Sequence, residues 1–157
     1  MSGISDYIVG NKILDFGASY ALTTCVLLEC GAGEVYGVEP DKERVARGSL
    51  ILEELNLESV ANIQHIENTS SLPFVNGYFD VVIANAVLEH IPQPRTAYIR
   101  EMWRVIKTGG SLIINETPNK YFPIDKHTTG LWFVPWLPSS IARRYALLMK
   151  RFQEEDD

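Results

Sequence analysis

The chain has 157 residues, a net charge of −6 and a hydrophobic fraction of 46%. That is enough for one domain with a sizeable core, and the apolar content is ordinary for a soluble globular protein. The acidic balance argues against a general nucleic-acid surface, and no apolar run is long enough to span a bilayer.

Met1 to Val9 lacks the charged and apolar sections of a secretory signal, so the cytoplasm is the expected compartment. A first strand over 12–16, Ile13-Leu14-Asp15-Phe16, runs into the small-residue turn Gly17-Ala18-Ser19-Tyr20-Ala21. A helix is predicted over 20–30. It carries Cys25 and Cys30, whose spacing does not place them on one face. With no histidine beside them they read as packing residues in a reducing compartment, not as a metal pair or a disulfide. A second strand over 34–38 ends in Glu39, and a helix follows from Asp41 to about Leu55 with Asp41 as N-cap. A short strand covers 63–66. Residues 67–77 are polar, contain Pro73 and end in Asn76-Gly77, so they read as a loop. His65 reads as a surface or packing residue. The fourth strand, 78–85, carries the buried-type run Val81-Val82-Ile83. After Pro94 a helix is expected, with Ile99, Met102, Trp103 and Ile106 as its core stripe and Gly109-Gly110 as its stop. A fifth strand over 111–115 precedes an irregular, proline- and aromatic-rich segment, 116–138. An amphipathic helix over 139–153 and an acidic tail close the chain.

Strands alternating with helices predict an α/β fold of Rossmann-like, doubly wound type, with a parallel sheet covered on both faces. Right-handed crossovers make 3-2-1-4-5 the expected strand order, in a single domain over 1–157. A ligand is then expected over the carboxyl ends of the first and fourth strands, where the order reverses. The small residues of 17–21 let a backbone approach such a ligand, and the following helix start offers free N–H groups. Glu39, at the tip of the second strand, can accept hydrogen bonds from ribose hydroxyls. Only Gly17 of the turn is a glycine. A pyrophosphate site wants more, so a nucleoside cofactor without a pyrophosphate fits better than NAD. The plainer reading of the turn is a close-packed strand-to-helix connection, and of Glu39 a solvated acid before Pro40.

Leu72-Pro73-Phe74, Phe79-Asp80-Val81-Val82 and Val87-Leu88-Glu89-His90-Ile91 resemble, with their spacing, the class I S-adenosylmethionine-dependent methyltransferases. Ile13-Leu14-Asp15-Phe16-Gly17 and Gly37-Val38-Glu39-Pro40 extend the match over roughly residues 10–117. The resemblance implies S-adenosylmethionine as cofactor and S-adenosylhomocysteine as product. It implies that Gly17, Ala18 and Ser19 pass under the methionine part of the cofactor, and that Asp15 orders that loop. Glu39 then binds the ribose beside Pro40. Asn68, where the family usually has aspartate, meets the adenine amine, and Thr69 adjoins it. Asn85 and Ala86 line the cofactor after the fourth strand, and His90 stands at the cleft edge. Ser19 and Ala21 replace usual glycines. The family's closing strand hairpin beyond strand five and its amino-terminal helix are not found in the sequence, so the core reads as a short form.

The run Thr117-Pro118-Asn119-Lys120-Tyr121-Phe122-Pro123-Ile124-Asp125-Lys126-His127-Thr128 is similar to one in methyltransferase-like proteins of surface-glycan pathways. It suggests a small-molecule or glycan-precursor acceptor. Asn119, Asp125 and His127 stand among aromatics there. His127 is a candidate general base, with Asn119 and His90 as the other catalytic candidates. The alternative for Asp125 and His127 is that they only hold the loop together. No metal is expected. The helix over 139–153 has an apolar face and local arginines, which suit either packing or weak contact with a membrane surface. An unpaired edge on the fifth strand makes homo-oligomerisation a possible outcome. Two functions follow: methyl transfer, or a catalytically inactive methyltransferase-like binding or interaction module. An NAD-dependent dehydrogenase shares the fold but needs a third loop glycine.

Overall fold

In the computed structural model of the chain, residues 4–115 are described continuously, and beyond them residues 137, 141, 144 and 145. The chain divides into two units, Met1–Thr117 and Pro118–Asp157. Of the second, Ile141, Arg144 and Tyr145 are helical. The segment 116–138, apart from residue 137, and most of 139–153 lie outside the described residues.

The first unit opens on a short 3-10 turn, Ile4–Tyr7. Five strands follow: β1 (Lys12–Phe16), β2 (Glu34–Glu39), β3 (Ala61–His65), β4 (Phe79–Asn85) and β5 (Ile106–Asn115). Helix α1 (Leu22–Glu29) links β1 to β2, α2 (Lys42–Glu54) links β2 to β3, and α3 (Thr96–Val105) precedes β5. All pairings are parallel, and the order is β3-β2-β1-β4-β5, the order expected from right-handed crossovers. Strand β1 lies between β2 and β4, with Phe16 opposite Val38 and Asp15 opposite Ile83.

Apolar residues on both faces of the central strands make the core. One layer gathers Leu14, Phe16, Val38, Phe79, Val82 and Met102. The opposite side holds Ile13, Leu27, Val35 and Val81, with a third cluster around Ala18, Ala21, Leu52 and Ile63. This is the two-sided burial of a parallel sheet. Helix α2 starts where Asp41 was expected to cap it. The Asp41 carboxylate accepts the N–H groups of Glu43 and Arg44 at 2.8 and 3.1 Å, which pulls its pKa down.

Two local expectations are corrected. Helix α3 ends at Val105 and β5 begins at once with Ile106. Gly109-Gly110 is an irregularity inside the strand, not a helix stop. Gly109 has φ +86°, and the register shifts between Phe79, opposite Ile106, and Val81, opposite Ser111. The α3 core stripe also differs. Met102 and Val105 are fully buried, whereas Trp103 is 52% exposed. Positions 98, 102 and 105 recur at helical spacing, and 103 falls off that face.

Among the described residues no helix is long and apolar enough to cross a membrane. Cys25 is half-buried, Cys30 is exposed and both are free.

Candidate active site

The carboxyl ends of β1, β2 and β4 open onto a cavity of about 530 Å³, within the range that small-ligand sites occupy. Its floor is the turn after β1. Gly17 has φ +85°, and a Cβ there would fall 2.5 Å from Val87 Cγ2, so residue 17 needs glycine for both conformation and space. The N–H groups of Gly17 and Ala18 bond the Val38 carbonyl at 2.9 and 3.1 Å, which ties the turn to β2. Ser19 and Ala21 also adopt positive φ, 48° and 69°. The turn thus keeps a left-handed backbone at 17, 19 and 21, two of them with ordinary L side chains.

Glu39 ends β2 and is 5% exposed. One carboxylate oxygen accepts the Ser19 N–H at 2.9 Å, the other the Asp41 N–H at 3.1 Å. The carboxylate therefore joins the floor of the cavity to the start of α2 and stands in the cavity wall. Behind the floor lies Asp15, 1% exposed, accepting a 2.7 Å hydrogen bond from the Thr24 hydroxyl. Burial pushes its pKa up to about 6. The Thr24 hydroxyl opposes that shift, and the Glu39 charge adds to it.

Of the residues singled out in the sequence, the cavity brings together Gly17, Ser19, Glu39, Pro40, Thr69, Asn85, Ala86 and His90. Ala86 has φ 52° and donates its N–H to the Asn115 carbonyl at 3.0 Å. Asn85 accepts from the Asn115 side chain at 3.1 Å, so the tips of β4 and β5 are fastened together. Asp15, Ala18 and Asn68 are not in the cavity wall. Ala18 packs with Ala21, Leu52 and Ile63. Asn68 folds into its own turn, its carbonyl accepting the N–H and hydroxyl of Ser70 at 3.1 and 2.7 Å. Asn119 and His127 lie outside the described residues.

The cavity also has walls that the sequence reading did not single out. Glu67, Arg44 and Tyr98 line it, with Val87, Ile91 and Pro92. Arg44 stands one turn into the helix after Glu39, and Glu67 two residues past the end of β3. Position relative to those strand tips was the available signal. Among the described residues no group of three His, Cys, Asp or Glu side chains could hold a metal ion.

A parallel sheet whose strand order reverses between β1 and β4, with a cavity above that point and an acid at the tip of β2, defines the Rossmann-like class. Comparison with known proteins narrows it. The model of the methyltransferase domain family matches residues 14–114. A ubiquinone biosynthesis O-methyltransferase of Psychrobacter arcticus is 30% identical over 117 residues, which cover 73% of this chain and 45% of that protein. A demethylmenaquinone methyltransferase of a Geobacillus species is 34% identical over 110 residues, 69% of this chain and 46% of that protein. Among solved structures, the YcgJ protein of Bacillus subtilis matches with a TM-score of 0.63 at 26% identity, covering 71% of this chain and 46% of that one. The geranyl diphosphate C-methyltransferase of Streptomyces coelicolor A3(2), solved with S-adenosyl-L-homocysteine, shares the fold at 18% identity and a TM-score of 0.64, over 69% of this chain and 42% of that one. The chain belongs to the methyltransferase domain family, with the class I S-adenosylmethionine-dependent fold. It spans about half the length of the curated relatives it matches.

Proposed function

We propose that the protein binds S-adenosylmethionine in the cavity over β1, β2 and β4 and serves methyl transfer to a small-molecule acceptor. The observation that carries this reading is the Glu39 carboxylate. It is buried in the cavity wall with one backbone N–H on each oxygen. A carboxylate has about four acceptor sites, so each oxygen retains capacity for a further donor. Two adjacent ribose hydroxyls match that need. The space fits as well, because the side chains of the described residues leave a cavity of about 530 Å³ there.

When bound, the cofactor supplies a methyl group already activated by its sulfonium. The chain's residues have less to do. Gly17 and Ser19 hold the floor close beneath the ligand, Glu39 fixes the ribose, and the fastened tips of β4 and β5 present Asn85 and Ala86 as a rigid wall. His90, exposed at the cavity edge with its backbone N–H bonded to the Val87 carbonyl at 2.9 Å, is the candidate among the cavity residues to position the cofactor or to take a proton from an acceptor hydroxyl. Alignment and exclusion of water account for most of the rest.

The acceptor is the finer part of the reading. Relatives named for ubiquinone biosynthesis and for demethylmenaquinone support a small molecule. A glycan precursor is the reading suggested by the Thr117–Thr128 run, with His127 and Asn119 as its acceptor-side residues. Calorimetry with S-adenosylmethionine and S-adenosylhomocysteine tests the cofactor, and transfer of labelled methyl to hydroxylated quinone precursors and to glycan precursors tests the acceptor. Failure to bind either cofactor form overturns the reading.

A further inference from the structure

Resting on that cofactor reading, we infer that Val87 sets the size of the alkyl group that the site accepts on the sulfonium. On that reading the ribose lies at Glu39, at the tip of β2. From there the cavity extends on one side to Pro40 and Thr69, and on the other to Gly17, Val87 and His90, over the tips of β1 and β4. The base and the sulfonium are joined to opposite sides of a ribose, so only one of them can lie over β1 and β4. That is the switch point of the sheet, where this fold class binds its ligands, and it is the end that holds His90. The sulfonium belongs there.

Val87 narrows that end. A Cβ built on Gly17 would lie 2.5 Å from Val87 Cγ2, 3.1 Å from Cγ1 and 3.4 Å from Cβ. The whole isopropyl group therefore rests on the bare α-carbon of the floor. Both backbones are held in place. Gly17 donates its N–H to the Val38 carbonyl at 2.9 Å. Val87 follows Ala86, whose left-handed backbone is tied to the Asn115 carbonyl at 3.0 Å, and its own carbonyl accepts the His90 N–H at 2.9 Å. The Val87 side chain is half-buried and packs against the cluster that includes Phe16 and Met102. Branching at Cβ leaves it few χ1 rotamers. The room that glycine leaves at position 17 is thus taken up by Val87, and an alkyl group on the sulfonium has to fit beside it. A packed, branched group of this kind gives way poorly to one more carbon.

The test is calorimetry on the full chain with three compounds: S-adenosylhomocysteine, whose sulfur carries no transferable alkyl group, S-adenosylmethionine, and S-adenosylethionine, which carries ethyl in place of methyl. The wild type should bind the methyl compound about tenfold more tightly than the ethyl compound, the low end of what one methylene is worth in a close-fitting apolar pocket. Val87→Ala should bring the two close to equal by strengthening the ethyl compound, with little change for S-adenosylhomocysteine. Val87→Ile, which adds a carbon, should weaken the methyl compound relative to S-adenosylhomocysteine, and it decides the matter alone if Val87→Ala does not fold. A wild type that binds the methyl and ethyl compounds equally overturns the assignment. So does a variant in which all the compounds weaken together and the wild-type preference stays, because Val87 would then only support the turn. A wild type that binds none of the three overturns the cofactor reading itself, and this assignment with it.

Discussion

The Ser19 N–H donates to the Glu39 carboxylate across 2.9 Å, joining the turn after β1 to the tip of β2 beneath the cavity. One side chain therefore organises the loop and faces the ligand space. Glu39→Ala frees the Ser19 and Asp41 N–H groups and, on the proposed reading, removes the acceptors for two ribose hydroxyls. Affinity for S-adenosylhomocysteine should fall by about 1.5–3 kcal/mol, typical of lost hydrogen bonds to a charged group. Titration calorimetry reads this directly. Unchanged affinity would mean that the ribose lies elsewhere.

Ser19 and Ala21 occupy left-handed backbone that costs an L-residue about 1–2 kcal/mol. Glycine relieves that strain but loses about 0.5–1 kcal/mol through its freedom in the unfolded chain. Ser19 is half-buried, and its side chain makes no hydrogen bond among the described residues. Ser19→Gly should therefore stabilise the protein by about 0.5–1 kcal/mol. Ala21 is fully buried, and losing its methyl costs about 0.8 kcal/mol, so Ala21→Gly should be close to neutral. Thermal melts of the two variants separate the cases.

The same residues show what the sequence could and could not disclose. Apolar runs such as Val81-Val82-Ile83, with the small turn and the terminal acid, were enough for the sheet order and the cavity's position. Ser19 and Ala21 stand where the resembled family usually has glycine, yet the backbone there keeps positive φ. Tertiary ties, the Glu39 bond among them, hold it. Trp103 and Gly109-Gly110 misled for a related reason. Composition gives a side chain's preference and a glycine's freedom, but which face of α3 meets the sheet, and whether a glycine pair stops a helix or bends a strand, is decided by packing against β4. The turn of Asn68 was illegible because a motif position does not show whether its oxygen is already engaged by Ser70.

Asp15 should make stability fall as pH rises through mild acidity. Its pKa is about 6 in the folded chain against an ordinary 3.8. Between those values the folded state holds a proton that the unfolded state has released, so deprotonation works against folding. Two pKa units correspond to about 3 kcal/mol. Asp15→Asn removes this slope. The variant should gain on the wild type as pH rises from 4 to 6 and hold a constant difference above. Urea midpoints across that range test it. Taking the difference cancels the opposite trend of Glu101 and Asp41, whose depressed pKa values make the protein lose stability as pH falls. A difference that does not vary with pH would show that Asp15 does not titrate there.

Arg104 on α3 clamps the Leu72-Pro73-Phe74 loop. Its guanidinium donates to Glu101 at 2.8 and 2.6 Å, to the Phe74 carbonyl and the Asn76 side chain at 2.8 Å each, and to the Leu72 carbonyl at 3.1 Å. Glu101 completes the clamp by accepting the Leu72 N–H at 2.6 Å. The clamp seats Leu72, 5% exposed, and Phe74 against the core, and the same loop carries Thr69 into the cavity wall. Arg104→Ala leaves two carbonyls without partners and the largely covered Glu101 carboxylate with only the Leu72 N–H, at a cost of about 2–4 kcal/mol. Arg104→Lys should recover less than half of that, because an ammonium cannot reproduce the forked geometry. Both variants should also bind S-adenosylhomocysteine more weakly than the wild type, since a loosened loop no longer holds Thr69 in place. Urea unfolding and calorimetry on the three proteins decide it. Recovery of full stability by lysine would mean that charge, and not the planar fork, holds the loop.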